Sequence, residues 1–302
     1  MITINKKYDF YSISGLQRDI NLSKHSSWRC GGNADYFFQP ENKNKLCEFI
    51  KVYSRDYSIL WLGLGSNILF RDAGVDSVVV LTAGNLSSFS WEQPDLLYAQ
   101  CGTPCAKIAR EAARNNFGEL AFLAGIPGTL GGALKMNAGA IGSEIWSFVD
   151  KVEIVNVDGK IRYLSASEYR PYYRGVAGPE LQFLGAWLRL SQKIPDALEK
   201  IRSVLAARSV SQPTGEFTCG SVFKNPTGYY AGELIERCDL KGFRVGGVAV
   251  SEKHANFFIN DGEASSRDIE SLIDLVKVKV KSRFGVKLEE EVQILGREKK
   301  YE

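Results

Sequence analysis

A glycine-dense segment is the clearest sign of chemistry in this sequence. Residues 124–142 read AGIPGTLGGALKMNAGAIG and are too apolar for a linker. Glycine adopts positive φ readily and lets the main chain approach another group closely, at an entropic cost. The cluster therefore indicates backbone lying close to a planar or phosphorylated ligand. A tight crossing of two backbones in a core is the other interpretation, and the segment alone does not separate the two.

A second glycine element follows a short apolar strand at residues 58–62 and reads Gly63-Leu64-Gly65-Ser66-Asn67. Successive backbone N–H groups in such a turn form an anion-binding concavity, and the Ser66 and Asn67 side chains add donors for a pyrophosphate. The Rossmann dinucleotide fingerprint needs a third glycine where this chain has Ile68, and a helix should follow. A turn and a strand at 78–81 follow instead. The sequence therefore predicts a phosphate-binding turn outside the Rossmann fold.

Three separated motifs together resemble the UDP-N-acetylenolpyruvoylglucosamine reductase family. They are the turn at 63–67, the run at 125–128 with 136–140, and GSVFKNP at 220–226. The resemblance extends from about Leu22 to Gly296. It implies a flavoenzyme of bacterial cell-wall precursor synthesis. Such an enzyme uses NADPH and non-covalent FAD to reduce the enolpyruvyl group of UDP-N-acetylglucosamine enolpyruvate, giving UDP-N-acetylmuramate.

The resemblance also implies the fold class and the domains. The expected fold is α+β, with a two-lobe FAD-binding domain of the vanillyl-alcohol-oxidase (PCMH) type and a C-terminal α+β substrate-binding domain. The expected boundaries are an N-terminal arm at 1–20, the FAD-binding domain at 21–192 with lobes of about 21–77 and 78–192, and the substrate domain at 193–302. The resemblance implies that residues of both glycine segments bind FAD. They are Gly63, Leu64, Gly65, Ser66, Asn67, Gly125, Ile126, Pro127, Gly128, Thr129, Gly132, Asn137 and Gly139.

The implied reaction adds hydride to a polarised carbon–carbon double bond and protonates the neighbouring carbon. No side chain donates hydride, so a cofactor must. Ser221 matches the family's proton donor. A serine hydroxyl is a poor acid in water, so it serves only when aimed at a strongly basic carbanion. Lys224 and Asn225, on the same loop, are expected to hold phosphate or sugar groups.

Arg174 matches the family's carboxylate-binding arginine, and its neighbour Tyr173 is expected to contact substrate. A guanidinium grips a carboxylate bidentately and stabilises the enolate that hydride addition forms. The chain offers two Tyr-Arg pairs, and the distance from Leu164 favours Arg174 over Arg170. Val176 stands where the family usually has serine.

Glu291 matches the family's C-terminal catalytic glutamate and is expected near Arg174. In an extended segment Glu289 and Glu291 share a face, and Glu290 points the other way. The alternative to a catalytic role is that these three adjacent glutamates are simply exposed to solvent, which is the ordinary interpretation of such a run. The chain passes almost directly from Pro226 to the 229–238 segment, as in the shorter subclass of the family, so the uridine contacts stay open.

Two other functions remain open from the residues. One is a different oxidase or dehydrogenase on the same FAD fold, with His25 or Cys30, beside Gly31-Gly32, as a covalent attachment point. The other is a flavin-holding protein without turnover. The set of Ser221, Arg174 and Glu291 argues against both.

The elements that must position these motifs follow from local patterns. Thr103 and Pro104 are expected to start a helix, Asp158-Gly159 predicts a two-residue hairpin, and the stripe of Leu198, Ile201 and Leu205 predicts core packing. Strands are expected at about 34–40, 58–62, 78–81, 96–101, 152–157, 161–164, 181–190 and 256–260, and helices at about 42–55, 105–116, 195–208, 233–238 and 266–284.

Composition narrows the function classes. A net charge of +3, with 44% hydrophobic and 24% charged residues, is ordinary for a globular protein and requires neither nucleic acid nor an anionic membrane as partner. No apolar stretch reaches the roughly 20 residues needed to span a bilayer, so a cytoplasmic protein is expected. The six cysteines are expected to be reduced thiols, and Cys219 a packed thiol. Cys101 and Cys105 form the only close pair, and both histidines lie far from it, so no metal site is predicted.

Overall fold

The computed structural model describes residues 13–298, which form two compact units. Within those residues, unit 1 comprises 13–18, 36–64 and 77–206, and unit 2 comprises 19–35, 65–76 and 207–298. Residues 1–12 of the predicted N-terminal arm lie outside the described part of the chain. The predicted domain boundaries divide the chain by position alone, whereas each unit gathers separate stretches, so those boundaries stay predictions.

Strands and helices are mixed along the chain, which confirms the α+β class. The α-helices are α1 Lys43–Tyr53, α2 Cys105–Arg114, α3 Leu130–Lys135, α4 Ala197–Ser211, α5 Ala231–Glu236 and α6 Ser266–Phe284. The strands are β1 Leu16–Asn21, β2 Asn33–Phe38, β3 Ile59–Leu62, β4 Ile68–Phe70, β5 Val75–Leu81, β6 Phe89–Gln93, β7 Leu96–Gln100, β8 Gly139–Ala140, β9 Ser143–Glu144, β10 Val149–Val155, β11 Ile161–Ser165, β12 Arg170–Tyr172, β13 Gly175–Ala177, β14 Phe183–Arg189, β15 Arg244–Val245, β16 Val248–Val250, β17 Phe258–Asn260 and β18 Gln293–Leu295.

An antiparallel five-stranded sheet in unit 1 has the order β11-β10-β14-β7-β6. Its central strand β14 is buried except at its last residue. Alternate side chains of a strand point to opposite faces, so β14 serves two cores. Ala186 and Leu188 pack in one apolar cluster with Ile108 of α2, and Leu184 packs in another with Phe49 of α1.

The predicted β-α-β pattern near the N-terminus is confirmed. The side chain of Asn42 caps α1 by accepting a hydrogen bond from the Lys45 N–H at 3.0 Å. Strand β3 lies parallel to β5, with Ile59 opposite Val78. Because β3 ends at Leu62, the chain passes straight from a sheet strand into the glycine turn.

Two local predictions for unit 1 are wrong in detail. Helix α2 is preceded by Pro104, and Thr103 does not cap it, because the Thr103 hydroxyl donates instead to the Ser88 carbonyl at 3.4 Å. The β10–β11 hairpin forms as predicted but closes with the Asn156 N–H donating to the Lys160 carbonyl at 3.0 Å. Its loop therefore has three residues, with Gly159 at φ 71°, rather than two.

The apolar stripe predicted on α4 is only partly a core stripe. Ile201 is 4% exposed and packs in the unit 1 core, whereas Leu198 is 43% exposed and Leu205 37% exposed. Helical periodicity predicts which face of the helix is apolar, but it does not predict how much of that face is covered by another element. Here Ala197, one residue away from the predicted stripe, supplies the second buried contact.

Helix α6 of unit 2 has the predicted bounds. Ser265 caps it by accepting from the Asp268 N–H, Asp268 accepts from the Ser265 N–H, and Gly285 ends it in the left-handed conformation at φ 70°. Its Ile273 and Val276 pack in the unit 2 core with Val250 of β16. Strands β15, β16 and β17 form an antiparallel sheet, and β18 lies parallel to β4.

Residues 13–298 contain no helix long and apolar enough to cross a membrane, and they contain no group of three or more His, Cys, Asp or Glu side chains arranged to hold a metal ion. All six cysteines, which lie within this range, are free thiols. Burial raises the pKa of Cys101 and of Cys105 to about 12, so this pair is kept protonated in the core.

An ion pair between the half-buried Lys43 and the buried Glu153 ties α1 to the five-stranded sheet. The Lys43 ammonium donates to both oxygens of Glu153, at 2.8 and 2.9 Å, and the Tyr98 hydroxyl donates to the same carboxylate. The Glu153 side chain is 3% exposed. Replacing Lys43 by methionine therefore leaves a buried carboxylate without its cation.

We expect Lys43→Met to lower the free energy of unfolding by about 2–4 kcal/mol. Lys45→Met on the same helix is the matched control, since Lys45 pairs with an exposed Glu48 and such pairs contribute about 0–1 kcal/mol. Urea unfolding followed by circular dichroism measures both. Equal losses for the two variants would contradict a structural role for the Lys43–Glu153 pair.

Candidate active site

In unit 1, the first residue of the glycine turn lies against Thr129. A Cβ atom added to Gly63 would lie 2.5 Å from the Thr129 hydroxyl oxygen, so a larger residue does not fit there. That hydroxyl is buried, and no residue among 13–298 hydrogen-bonds it. A buried hydroxyl without a partner is rare in folded proteins. The pair therefore marks a place where a ligand oxygen would complete the structure.

The glycine-dense run uses its glycines in two ways. A Cβ on Gly131 would meet the Cys101 side chain and carbonyl at 3.1 and 3.2 Å, and the Gly131 N–H donates to that carbonyl at 2.8 Å. Gly131 thus serves a tight backbone crossing. A Cβ on Gly132 would meet nothing within 4 Å, so this glycine borders open space. The interpretation as a tight backbone crossing therefore applies to Gly131, and the interpretation as space for a ligand applies to Gly132.

Asn137 braces the end of the same run. It is fully buried and has φ 41°, a conformation that asparagine tolerates better than most residues. Its amide nitrogen donates to the Glu144 carboxylate at 2.7 Å and to the Tyr172 carbonyl at 3.2 Å. The side chain therefore fixes the position of the neighbouring hairpin β12–β13 relative to the glycine run.

Arg174 lies in the two-residue turn of that hairpin. Its Nη1 donates to the Gly139 carbonyl at 3.3 Å, and its guanidinium lies 5.0 Å from the centre of the Tyr173 ring. Arg170 stands at the other end of the hairpin, exposed and opposite Ala177. Of the two Tyr-Arg pairs, only that of Arg174 has a hydrogen bond to the glycine run among those found for residues 13–298. Val176, in place of the usual serine, is 5% exposed and packs in the unit 1 core.

Ser221 lies in unit 2, at the wall of a cavity of about 360 Å³. It follows Gly220, whose φ of 78° turns the chain sharply, and it pairs with Phe257 in an isolated bridge. The polar side chains around the cavity have mixed charge. Its lining comprises Ser221, Asn225, Tyr230, Gly232, Glu233, Glu236, Lys253, His254, Ala255 and Asn256.

The backbone after Ser221 is bonded on two sides. The Val222 N–H donates to the Asn256 carbonyl at 2.8 Å, and the Val222 carbonyl accepts from the Glu291 N–H at 2.8 Å. The next residues continue the second contact, with the Lys224 N–H donating to the Glu289 carbonyl at 2.9 Å. Ser221 and Glu291, 70 positions apart in the sequence, are therefore joined through a single buried residue.

The three consecutive glutamates have different surroundings. The Glu289 carboxylate lies 3.8 Å from the Lys224 ammonium, and Glu290 accepts a hydrogen bond from Lys277 of α6 at 2.7 Å. Burial alone would raise the pKa of Glu290, but the Lys277 hydrogen bond and nearby positive charge hold it below its usual value. Glu290 thus has a structural partner on α6, and Glu291 is half-buried.

Asn67 connects the glycine turn to this group within unit 2. Its amide nitrogen donates to the Glu291 carbonyl at 3.0 Å, and its own carbonyl accepts from the Gln293 N–H at 3.0 Å. From the sequence, the Asn67 side-chain amide was expected to donate to a pyrophosphate. In the structure, one of the hydrogens of this amide is already donated to the Glu291 carbonyl. Unit 2 therefore brings together the turn, Glu291 and the Ser221 loop.

Cys219 packs behind the turn. Its thiol donates weakly to the Gly65 carbonyl at 3.6 Å and to the Ile68 carbonyl at 3.5 Å. Burial raises the pKa of Cys219 to about 12, so the thiolate does not form near neutral pH. The interpretation as a packed thiol is confirmed. Cys30, the suggested covalent attachment point, is likewise buried, with a pKa raised to about 11 by burial.

Of the residues that line the cavity, sequence reasoning named only Ser221 and Asn225 as site residues, and it missed His254 and Asn256 among the others. His254 borders it with a pKa lowered by burial, and its Nδ1 accepts from the Asn256 N–H at 3.2 Å. The Asn256 side chain lies behind Ser221 and is 3% exposed. The sequence held only a weak indication of this site: His254 is one of only two histidines, and a predicted strand follows it closely. Asn225 also has an additional task, since its Oδ1 accepts from the Ala231 N–H at the start of α5 at 3.0 Å.

Comparison with known proteins identifies relatives across nearly the whole chain. A family model described as the C-terminal domain of UDP-N-acetylenolpyruvoylglucosamine reductase matches residues 212–295, and an FAD binding domain model matches residues 34–165. The UDP-N-acetylenolpyruvoylglucosamine reductase of Methylococcus capsulatus is 47% identical, over 91% of this chain and 91% of its own. That of Legionella pneumophila (strain Paris) is 45% identical, over 91% and 92%. The crystal structure of UDP-N-acetylenolpyruvylglucosamine reductase from Thermus caldophilus, 30% identical, matches with a TM-score of 0.78 over 93% of this chain and 98% of that one.

The FAD binding match includes both Gly63 and Thr129. The residues present fit the cofactor, since the buried Thr129 hydroxyl needs a partner and Gly132 borders open space. Phosphate and ribityl oxygens of FAD are acceptors of the required kind. Thr129 is therefore the residue in unit 1 that best tests where FAD binds.

We expect Thr129→Val to raise the Kd for FAD about 3- to 10-fold, because one hydrogen bond is lost and the side-chain shape is kept. Thr82→Val is the matched control, since its buried hydroxyl donates to the Leu62 carbonyl at 3.0 Å and needs no ligand. Titration of the apoprotein with FAD, followed by flavin fluorescence, measures the Kd. An unchanged Kd for Thr129→Val would place the FAD oxygens away from this hydroxyl.

Proposed function

The chain belongs to the UDP-N-acetylenolpyruvoylglucosamine reductase family, and on that premise we propose that it reduces the enolpyruvyl group of UDP-N-acetylglucosamine enolpyruvate. The product is UDP-N-acetylmuramate, a precursor of peptidoglycan. NADPH is the co-substrate, and FAD is bound without a covalent link. The observation that carries the proposal is the set of backbone hydrogen bonds of Val222, which hold the Ser221 loop, at the wall of the cavity, against the Glu291 segment.

We assign FAD to the two glycine segments. In unit 1 the contacts are Gly63, Leu64, the 125–129 segment and Gly132, supported by the unpartnered Thr129 hydroxyl. In unit 2 they are Gly65, Ser66 and Asn67, whose turn is fixed by the Glu291 carbonyl. Asn137 and Gly139 contribute by bracing the hairpin of Arg174. When bound, FAD supplies the hydride transfer that no side chain can provide.

Ser221 is the proposed proton donor. Hydride addition to the enolpyruvyl carbon leaves an electron pair on the neighbouring carbon, and this carbanion is a strong base. The Ser221 Oγ–H transfers its proton to that carbon, and the oxygen keeps the O–H bonding electrons. Because serine is a weak acid, the step depends on a fixed distance and direction, which the two-sided hydrogen bonding of Val222 supplies.

Arg174 is the proposed carboxylate ligand. Its planar guanidinium binds the enolpyruvyl carboxylate bidentately and stabilises the negative charge as it spreads into the enolate. Tyr173 lies under the guanidinium and limits its orientation. Glu291 is the proposed partner of the substrate or of the acid, and Lys224 and Asn225 are proposed to contact the diphosphate or the sugar.

The remaining proposals concern organisation. We propose that residues 21–192 form the FAD-binding domain, with lobes of about 21–77 and 78–192, and that residues 193–302 form the substrate domain. The family models at 34–165 and 212–295 fall inside these limits. The substrate and NADPH are small anions, which need local positive charge and not the large net charge of a nucleic-acid-binding protein. A cytoplasmic location fits substrates of this kind.

We expect Arg174→Lys to lower turnover by about 10²-fold or more, because an ammonium keeps the charge but lacks the planar fork. Arg170→Lys is the matched control, since that residue is exposed and lies at the far end of the hairpin. Steady-state rates with NADPH and the enolpyruvyl substrate measure both. The reverse order of effects would show that Arg170 is the carboxylate ligand.

We expect Ser221→Ala to slow flavin reoxidation by the enolpyruvyl sugar nucleotide by about 10²- to 10⁴-fold, the usual effect of losing a general acid. Flavin reduction by NADPH needs no acid at that carbon and should be nearly unchanged. Anaerobic rapid mixing follows the two half-reactions separately through flavin absorbance. Equal slowing of both halves would make Ser221 a residue of the pocket or the flavin site.

A further inference from the structure

Asn256 makes an unusual set of contacts directly behind Ser221. Its Oδ1 accepts from the Phe223 N–H at 3.0 Å, and its Nδ2 donates to the Phe223 carbonyl at 2.8 Å. Its own carbonyl accepts from the Val222 N–H at 2.8 Å. One buried residue thus bonds three backbone groups of the two residues that follow the proposed proton donor.

Asn256 is itself held firmly by the surrounding chain. Its N–H donates to His254 Nδ1 at 3.2 Å, and the neighbouring Phe257 N–H donates to the His254 carbonyl at 2.9 Å. Ser251 closes this turn by donating its N–H to the Phe257 carbonyl at 2.8 Å. The turn connects two paired strands, with Val250 opposite Phe258. Asn256 is therefore part of a rigid frame and not of a freely moving loop.

The side-chain chemistry required at this position is specific. The N–H and the carbonyl of Phe223, which belong to two successive peptide units, both face Asn256, and a primary amide of asparagine length bonds both. Aspartate keeps an acceptor for the N–H but loses the donor for the carbonyl, and it places a charge in a buried site. Serine is shorter and offers one hydroxyl for the two groups. The local arrangement thus depends on the amide itself.

We propose that Asn256 is a positioning residue for proton transfer: through Val222 and Phe223 it holds the Ser221 hydroxyl at the cavity. The inference rests on the proposed function of Ser221 and extends it to a residue 35 positions away in the sequence. Its action is indirect, because its side chain bonds the Phe223 backbone.

The test compares Asn256→Asp with a matched control, Asn260→Asp. Asn260 is also buried, at 2% exposed, and also bonds backbone groups, donating to the Trp28 carbonyl at 2.6 Å and accepting from Gly262 and Ala264. Both substitutions remove one amide donor and introduce one buried carboxyl. Both are expected to lower stability, so the kinetic comparison separates positioning from general damage.

We expect Asn256→Asp to slow flavin reoxidation by the enolpyruvyl sugar nucleotide about 10- to 100-fold, the scale of a small misplacement of a reacting group. Flavin reduction by NADPH should be nearly unchanged, and Asn260→Asp should leave both half-reactions close to those of the unaltered protein. Hydrogen–deuterium exchange in Asn256→Asp should become faster at the Lys224 amide, which shares a peptide unit with the Phe223 carbonyl that loses its donor. Should that variant not fold, Asn256→Ser takes its place with the same expectations.

The double variant Ser221→Ala/Asn256→Asp decides whether Asn256 acts through Ser221. If it does, the second substitution adds little to the slow reoxidation of Ser221→Ala. Fully multiplicative effects, or normal reoxidation by Asn256→Asp, would overturn the inference while leaving Ser221 as the donor. Normal reoxidation by Ser221→Ala alone would instead overturn the proposed function of Ser221, and the two failures are therefore distinguishable.

Discussion

The arrangement of unit 2 depends on the backbone hydrogen bonds of Val222. This residue is fully buried, its N–H is bonded to the Asn256 carbonyl, and its carbonyl is bonded to the Glu291 N–H. These bonds fix the peptide unit before Val222, which carries its N–H, and the peptide unit after it, which carries its carbonyl. Ser221 shares the first of these two units. Ser221, the proposed proton donor, is a weak acid that must be aimed at its target, and these backbone bonds act on it together with the Asn256 side chain.

The same constraint explains why unit 2 needs its long helix and its charged pairs. Glu291 can bond Val222 only if the segment from Gly285 to Val292 has a fixed course. Helix α6 ends at Gly285 in a left-handed cap, and Lys277 of that helix binds Glu290 one residue before Glu291. On the far side, Asn67 donates to the Glu291 carbonyl. The backbone of Glu291 is therefore located by its own hydrogen bonds and by those of its neighbours.

The features that could be predicted from the sequence are those set by residues close together in the chain. The bounds of α6 were predictable because Ser265, Asp268 and Gly285 act locally on the helix ends. The cap expected from Thr103 was wrong because its hydroxyl bonds Ser88, 15 positions away. The exposure of the ends of the α4 stripe could not be predicted, because periodicity does not show whether another element packs against them. Asn67 and Glu291 are 224 positions apart, and Asn256 and Phe223 are 33 apart. Family motifs supplied Ser221 and Glu291, but the residues that hold them emerged only from the fold.

Backbone strain in unit 1 concerns both the proposed carboxylate ligand Arg174 and a residue that holds its hairpin. Asn137 and Arg174 both have positive φ, at 41° and 60°. Asparagine tolerates this region, and the buried Asn137 amide compensates with bonds to Glu144 and Tyr172. Arginine has no such tolerance, so the turn costs about 1 kcal/mol more than it would with glycine. A turn that retains arginine at this cost is best explained by a need for its guanidinium, and the bond from Nη1 to the Gly139 carbonyl orients that group. The braced, unreactive Asn137 thus stabilises the strained hairpin from which Arg174 is presented.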